Sequence, residues 1–214
     1  MKKLFLALAL ISAPAVADDW QTLDASQWRA YKGEGIPAGW HAEGNTLSMV
    51  KSPAGDIVSK ETYGSFELTF EWKISAGGNS GVFFHVQESP DLAQTYFSGP
   101  EYQVLDNKGR SEPPIEQAGG LYILYAPEAD YTKPVGEFNE GRILVDGSKV
   151  EHWLNGHKVA AYDMASDDFK ARVAASKFAK WPAFAASPSG HIALQDHGDP
   201  VTYRNIRIRR LSAE

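Results

Sequence analysis

Apolar and polar positions alternate with a period of two through much of this chain. In residues 67–74, Leu68, Phe70, Trp72 and Ile74 alternate with Glu67, Thr69, Glu71 and Lys73, the signature of a half-buried strand. After the turn Ser75-Ala76-Gly77-Gly78-Asn79, residues 81–87 set Val82, Phe84 and Val86 on one side and Phe83, His85 and Gln87 on the other. In Glu101-Tyr102-Gln103-Val104-Leu105-Asp106 the same parity makes Tyr102 and Val104 core and turns Glu101 and Gln103 outward. If these strands lie in one sheet, Glu71, Lys73, His85, Glu101 and Gln103 share a face. An antiparallel sheet often leaves one face wet, so an ordinary solvated surface is the competing explanation.

The remaining segments read as short strands with turn punctuation. Strands are predicted over 45–50, 57–60, 121–125, 138–146, 149–154, 157–162, 191–197 and 201–211. Asp146-Gly147-Ser148 and Asn155-Gly156 mark two hairpin turns. Ile192 and Leu194 point to the core, which leaves His191, Ala193, Gln195 and His197 facing the other way. One short helix is predicted over 167–175 with Ser166 as its N-cap. An Ala/Pro/Ser-rich excursion follows through residues 184–190, and Trp28 and Trp40 are expected to cover an edge of the core. Roughly a dozen short strands indicate an all-β antiparallel β-sandwich, most simply a jelly roll. No internal repeat, Rossmann glycine pattern, P-loop or His-Glu-x-x-His motif interrupts this reading.

Met1-Lys2-Lys3, the apolar residues 4–11 and Ala15-Val16-Ala17 have the three regions of a secretory signal peptide, with cleavage expected after Ala17. That apolar run is short for a bilayer span. The expectation is an exported bacterial protein, most simply periplasmic, with one domain over residues 18–214. The chain has no cysteine, which excludes a disulfide framework and a lipid anchor. Removing residues 1–17 takes away two lysines and no acids and moves the formal charge from −6 to −8. An acidic chain with scattered Lys and Arg fits neither nucleic acid nor a membrane as partner.

Several groups on the inferred polar face could carry chemistry. A carboxylate and an imidazole can act as base and acid, or can bind a metal; His85 and His197 with Glu101 are the candidates for a divalent ion, the one cofactor these residues suggest. Glu71 and Glu101 could instead be the paired carboxylates of a conventional glycosidase. Ser80 lacks the Gly-x-Ser-x-Gly surroundings of an activated nucleophile. Lys177 could contact a substrate hydroxyl or a developing oxyanion. Trp153, on the side of Glu151, could offer a stacking platform, and Gln195 joins the polar face.

Four ordered motifs then carry a resemblance: Glu71-Trp72-Lys73-Ile74-Ser75 through Gly78-Asn79-Ser80-Gly81-Val82-Phe83-Phe84; Glu101-Tyr102-Gln103-Val104-Leu105-Asp106; Val150-Glu151-His152-Trp153-Leu154-Asn155-Gly156; and Leu194-Gln195-Asp196-His197-Gly198 with Tyr203-Arg204-Asn205-Ile206. Together they resemble the 3-keto-disaccharide hydrolase domain family over nearly the whole mature chain. The resemblance implies a concanavalin-like jelly roll that cleaves glycosides already oxidised to a ketone at C3. It also implies Glu101 as base and His197 as acid or metal ligand, with Gln103 and Lys73 holding the ketone or neighbouring hydroxyls and Glu71 and His85 as second choices. A small carbohydrate is the expected partner. A non-catalytic carbohydrate-binding module and a two-carboxylate glycoside hydrolase are the alternatives.

Overall fold

The longest alternating segments form the longest strands. In a computed structural model describing residues 19–211, thirteen strands build two antiparallel sheets. The expected signal peptide and its cleavage point lie outside the described residues. The strands are β1 (Gln21–Thr22), β2 (Trp28–Ala30), β3 (Trp40–Glu43), β4 (Thr46–Met49), β5 (Ile57–Ser59), β6 (Phe66–Ile74), β7 (Asn79–Val86), β8 (Glu101–Leu105), β9 (Asn139–Asp146), β10 (Lys149–Leu154), β11 (His157–Asp163), β12 (His191–Leu194) and β13 (Val201–Arg210). One sheet has eight strands in the order β11-β10-β9-β6-β13-β4-β3, with β1 added beside β13. The other has five, in the order β2-β5-β12-β7-β8.

The two sheets face one another across a single large core. From the larger sheet come Phe66, Leu68, Phe70, Trp72, Ile143, Val145, Tyr203 and Ile208; from the smaller come Val82, Phe84, Tyr102, Val104, Ile192 and Leu194. Each side chain of this size, removed from water, contributes about 1.5–3 kcal/mol before entropy is counted. Trp28 on β2 and Trp40 on β3 are buried against this core from the end strand of each sheet, at the edge where they are expected. The predicted hairpins appear as β9-β10-β11 in sequential antiparallel order. Helix α1 (Asp167–Ala175) starts at Ser166, whose Oγ accepts a hydrogen bond from the Phe169 N–H at 3.1 Å.

Residues 121–125 form no ladder strand. Instead Leu121 and Tyr125 exchange backbone hydrogen bonds, closing a tight turn in which Ile123 has a φ of +54°. Their apolar side chains serve a turn that packs beside β8, where the Tyr122 N–H donates to the Glu101 carbonyl at 3.1 Å. Among the described residues no helix is long and apolar enough to cross a membrane.

Candidate active site

The central feature of the smaller sheet's outer face is a gap. Gly81 on β7 stands directly opposite Gln103 on β8, and on its other side the Gln195 N–H donates to the Gly81 carbonyl at 3.0 Å. One row along the sheet, Phe83 has Glu101 and Ala193 as its two neighbours. Glu101 leans diagonally from that row into the space that Gly81 leaves open. A Cβ at residue 81 would lie 2.2 Å from Glu101 Oε1. The Glu101 carboxyl therefore rests on bare backbone, with a glutamine on either flank.

A cleft of about 320 Å³ opens above this floor. Asn79, Glu101, Gln103, Gln195 and His197 line its sheet side, while Tyr96, Tyr122, Phe178, Trp181 and Lys177 line the loop side. Gln103 Nε2 donates to Asn79 Oδ1 at 3.3 Å, and Asn79 Nδ2 lies 3.4 Å from His197 Nε2. With the Asn79 oxygen committed to Gln103, its amide nitrogen is the end that faces His197. The roof is aromatic: Trp181 stacks on Phe97 at 4.6 Å and meets Tyr96 edge-on at 5.4 Å. The Lys177 ammonium sits 4.5 Å from the Tyr122 ring centroid and 5.6 Å from that of Phe178, within cation–π reach.

Three half-buried carboxylates fix the loops around the cleft. Asp56 accepts from Thr95 Oγ1 at 2.5 Å and from the Asp196 N–H at 2.9 Å, and so ties the residues next to Tyr96 and His197 to one anchor. Asp196 in turn accepts from the backbone of Ala54 and Gly55. Asp199 accepts from the Asn79 N–H at 3.0 Å.

Glu101 is only 6% exposed, and among the described residues no side chain forms a hydrogen bond or ion pair with its carboxyl. Burial pushes its pKa up to about 8; the Lys177 cation pulls it partly back, and the Asp56 charge adds to the rise. The result is a carboxyl that exchanges its proton near neutral pH, in a cleft, beside an imidazole and a cation.

The structure thus brings together Glu101, Gln103, Lys177, Gln195 and His197, and it separates the other expected site residues from them. Glu71, Lys73 and Trp153 belong to the larger sheet and lie on its outer face, on the opposite side of the sandwich. Glu71 accepts from Arg204 and Asn205, each at 2.7 Å; Lys73 lies 4.9 Å from the Phe138 ring; Trp153 is flanked by Arg142 and Lys158. Glu71 therefore cannot pair with Glu101 across one sugar, which removes the two-carboxylate arrangement.

His85 is displaced for a different reason. Val86 pairs with His191 and Phe83 with Ala193, so β7 spends one more residue than β12 over this stretch, a β-bulge. His85, with φ +54°, sits in the bulge and turns inward against Phe66 and Phe84, its Nε2 at 2.9 Å from the Gly64 carbonyl. Burial holds its pKa below the ordinary imidazole value. Val86, expected in the main core, emerges outward with Val58, Phe83 and Ala193. Without His85 the metal candidates reduce to His197 and Glu101. Among the described residues no group of three or more His, Asp or Glu side chains could hold a metal ion, so no step is assigned to one. Ser80 faces inward, its Oγ donating to the Gln195 carbonyl at 2.8 Å.

Asn79, Tyr96, Tyr122, Phe178 and Trp181 are cleft residues that sequence reasoning missed. The sequence pattern puts Asn79 in a turn, whereas it opens β7 and shares the parity of Gly81. The four aromatic residues come from loops and turns, which carry no periodic signal.

Comparison with known proteins gives a consistent result. The family described as "3-keto-alpha-glucoside-1,2-lyase-like domain" matches residues 19–209. A Bacteroides thetaiotaomicron protein named 3-keto-disaccharide hydrolase is 33% identical, over 94% of this chain and 81% of its own length. A crystal structure from Parabacteroides distasonis, provisionally described as a glycosyl hydrolase, superposes with a TM-score of 0.83 at 31% identity, covering 92% of this chain and 96% of its own. A Bacillus subtilis protein with a galectin-like fold shares the architecture at a TM-score of 0.54 and 15% identity, over 87% of this chain and 90% of its own.

Proposed function

Because the chain belongs to the 3-keto-alpha-glucoside-1,2-lyase-like domain family, we propose that it is a glycosidase for sugars oxidised to a ketone at C3, with Glu101 as the base. The observation that carries this reading is the Glu101 carboxyl: buried, unpaired and open to the cleft.

A ketone at C3 acidifies the C2 hydrogen, and a weakly solvated carboxylate is a stronger base than an exposed one. Glu101 takes that proton, and the C2–H electron pair passes into an enolate whose charge rests on the C3 oxygen. The Lys177 ammonium, held over the aromatic roof, stabilises this charge. Collapse of the enolate forms the C1–C2 double bond and breaks the bond from C1 to the leaving oxygen, which takes a proton from His197. Water adding at C1 of the resulting enone, with a proton returned to C2, completes hydrolysis; release before that step gives a lyase. Asn79 orients His197 through its amide.

The chemistry is tested by incubating the protein with 3-keto-trehalose and with trehalose and analysing the products by mass spectrometry. Cleavage confined to the keto sugar, and lost in a folded Glu101→Gln variant, is the expected result. Cleavage of trehalose itself, or full turnover by the variant, would overturn the reading. Binding of either sugar without any turnover would make the protein a carbohydrate-binding module.

A further inference from the structure

Two amide carbonyls on the cleft floor lack a donor. Gln103 Oε1 and Gln195 Oε1 are enclosed and accept no hydrogen bond, in side chains only 2% and 8% exposed. An unsatisfied buried acceptor costs about 1–3 kcal/mol, so two in one site call for a physical reason. The Gln103 amide is oriented by its own N–H, which is engaged with Asn79 Oδ1, and this leaves the carbonyl as its free end.

The geometry of the floor identifies the missing donor. Gln103 and Gln195 flank Gly81 from either side, and the group resting over Gly81 is the Glu101 carboxyl. Directly opposed positions on a sheet face place their Cβ atoms about 4.5–5.5 Å apart, which is within a glutamine's reach. A carboxylate can offer these carbonyls nothing, but a carboxylic acid has one O–H to donate. We infer that Gln103 and Gln195 are positioning residues that hold the proton Glu101 takes from the substrate, each carbonyl able to accept the new O–H.

This inference rests on Glu101 being the base. As the C2–H bond breaks, its electron pair enters the enolate and the proton forms an O–H bond on Glu101. An amide carbonyl then accepts that hydrogen. In the ionised enzyme, the form that reacts, the carbonyls gain their partner only as the transfer proceeds, so their contribution falls on the transition state and not on ground-state binding. The other ionisable groups around Glu101 are Lys177 and Tyr122 from the loop side, Asp56 and Tyr203 near the floor, and His197 within the cleft. Lys177 favours the ionised carboxyl and Asp56 the protonated one. Neither supplies an acceptor for the O–H in the way an amide carbonyl does.

The test replaces each glutamine singly by methionine, which keeps the length of the side chain and removes the carbonyl. The pH midpoint of kcat/KM should fall by about half to one unit, the equivalent of one neutral hydrogen bond. Over the same comparison kcat should fall about three- to tenfold with KM unchanged. A substrate-free readout is the infrared carbonyl stretch of protonated Glu101, isolated as the difference between wild type and Glu101→Gln. In the methionine variants that band should move to higher frequency and titrate at lower pH. A raised KM with an unmoved midpoint and an unmoved band would overturn the inference and make the amides readers of sugar hydroxyls. Turnover surviving in Glu101→Gln would refute the base itself, and the band alone would then decide whether the amides hold its proton. The two single variants are independent, so one folded variant suffices.

Discussion

Gly81→Ala is the substitution through which the site can be tested with one methyl group. Gly81 has no left-handed φ, so alanine fits its backbone and β7 should remain intact. The added Cβ, however, would sit 2.2 Å from Glu101 Oε1 and 2.8 Å from both Cδ and Cγ, where ordinary contact begins at 3.4 Å. The carboxyl must retreat by about 1.2 Å, away from the floor and towards the cleft. A displacement of that size in a reacting group costs on the order of a hundredfold in rate, about 2.7 kcal/mol of transition-state stabilisation. The retreat also returns the carboxyl to water. Because burial is what lifts its pKa to about 8, the midpoint of the pH profile should shift downwards. The assay is kcat/KM on a 3-keto-disaccharide across pH, for wild type and variant, with thermal melting as the control for folding. A folded variant within about threefold of wild type at every pH, with its midpoint unmoved, would refute a mechanism based on Glu101 resting over Gly81.

Two further outcomes follow from groups around the cleft. Although part of Asp56 reaches the surface, its carboxyl is enclosed, and burial raises its pKa from 3.8 to about 6. A carboxyl raised on folding favours the fold most below its unfolded pKa and loses that contribution as pH climbs through the folded value. Asp56→Asn can keep both hydrogen-bond contacts and cannot ionise. Its melting temperature relative to wild type should therefore rise between pH 3.8 and about 6 and level off above. The full change is on the order of 2–3 kcal/mol, and a difference independent of pH would disprove this account of Asp56. Trp181→Ala removes the ring that stacks on Phe97 over the cleft. It should raise KM for a 3-keto-disaccharide by about tenfold, and should affect a keto-glycoside with a one-carbon leaving group much less. Equal losses on both substrates would show that Trp181 does not hold the leaving sugar.

What the sequence made legible, and what it left hidden, divides along physical lines. Parity along a strand reports which residues face the core, and it was right for Leu68, Phe70, Trp72, Tyr102 and Val104. Hairpins announced by Asp146-Gly147-Ser148 and Asn155-Gly156 were legible because a tight turn makes its flanking strands neighbours. Parity does not report which sheet a strand joins. β6 and β7 are separated only by residues 75–78, yet they belong to different sheets, so Glu71 and Lys73 face away on the far side of the sandwich. One extra residue at the bulge was enough to invert the sidedness of His85 and Val86, and no local residue preference announced it. Glu101 and Gln103 were correctly read as facing away from the core, but outward does not mean wet here. Loops bearing Tyr96, Tyr122 and Trp181 close over that face, and their path depends on contacts distant in sequence. The burial that gives Glu101 its chemistry is therefore a tertiary property. Its most local trace in the chain is an absence: a glycine just ahead of Val82-Phe83-Phe84, at the position where a side chain would occupy the place of the carboxyl.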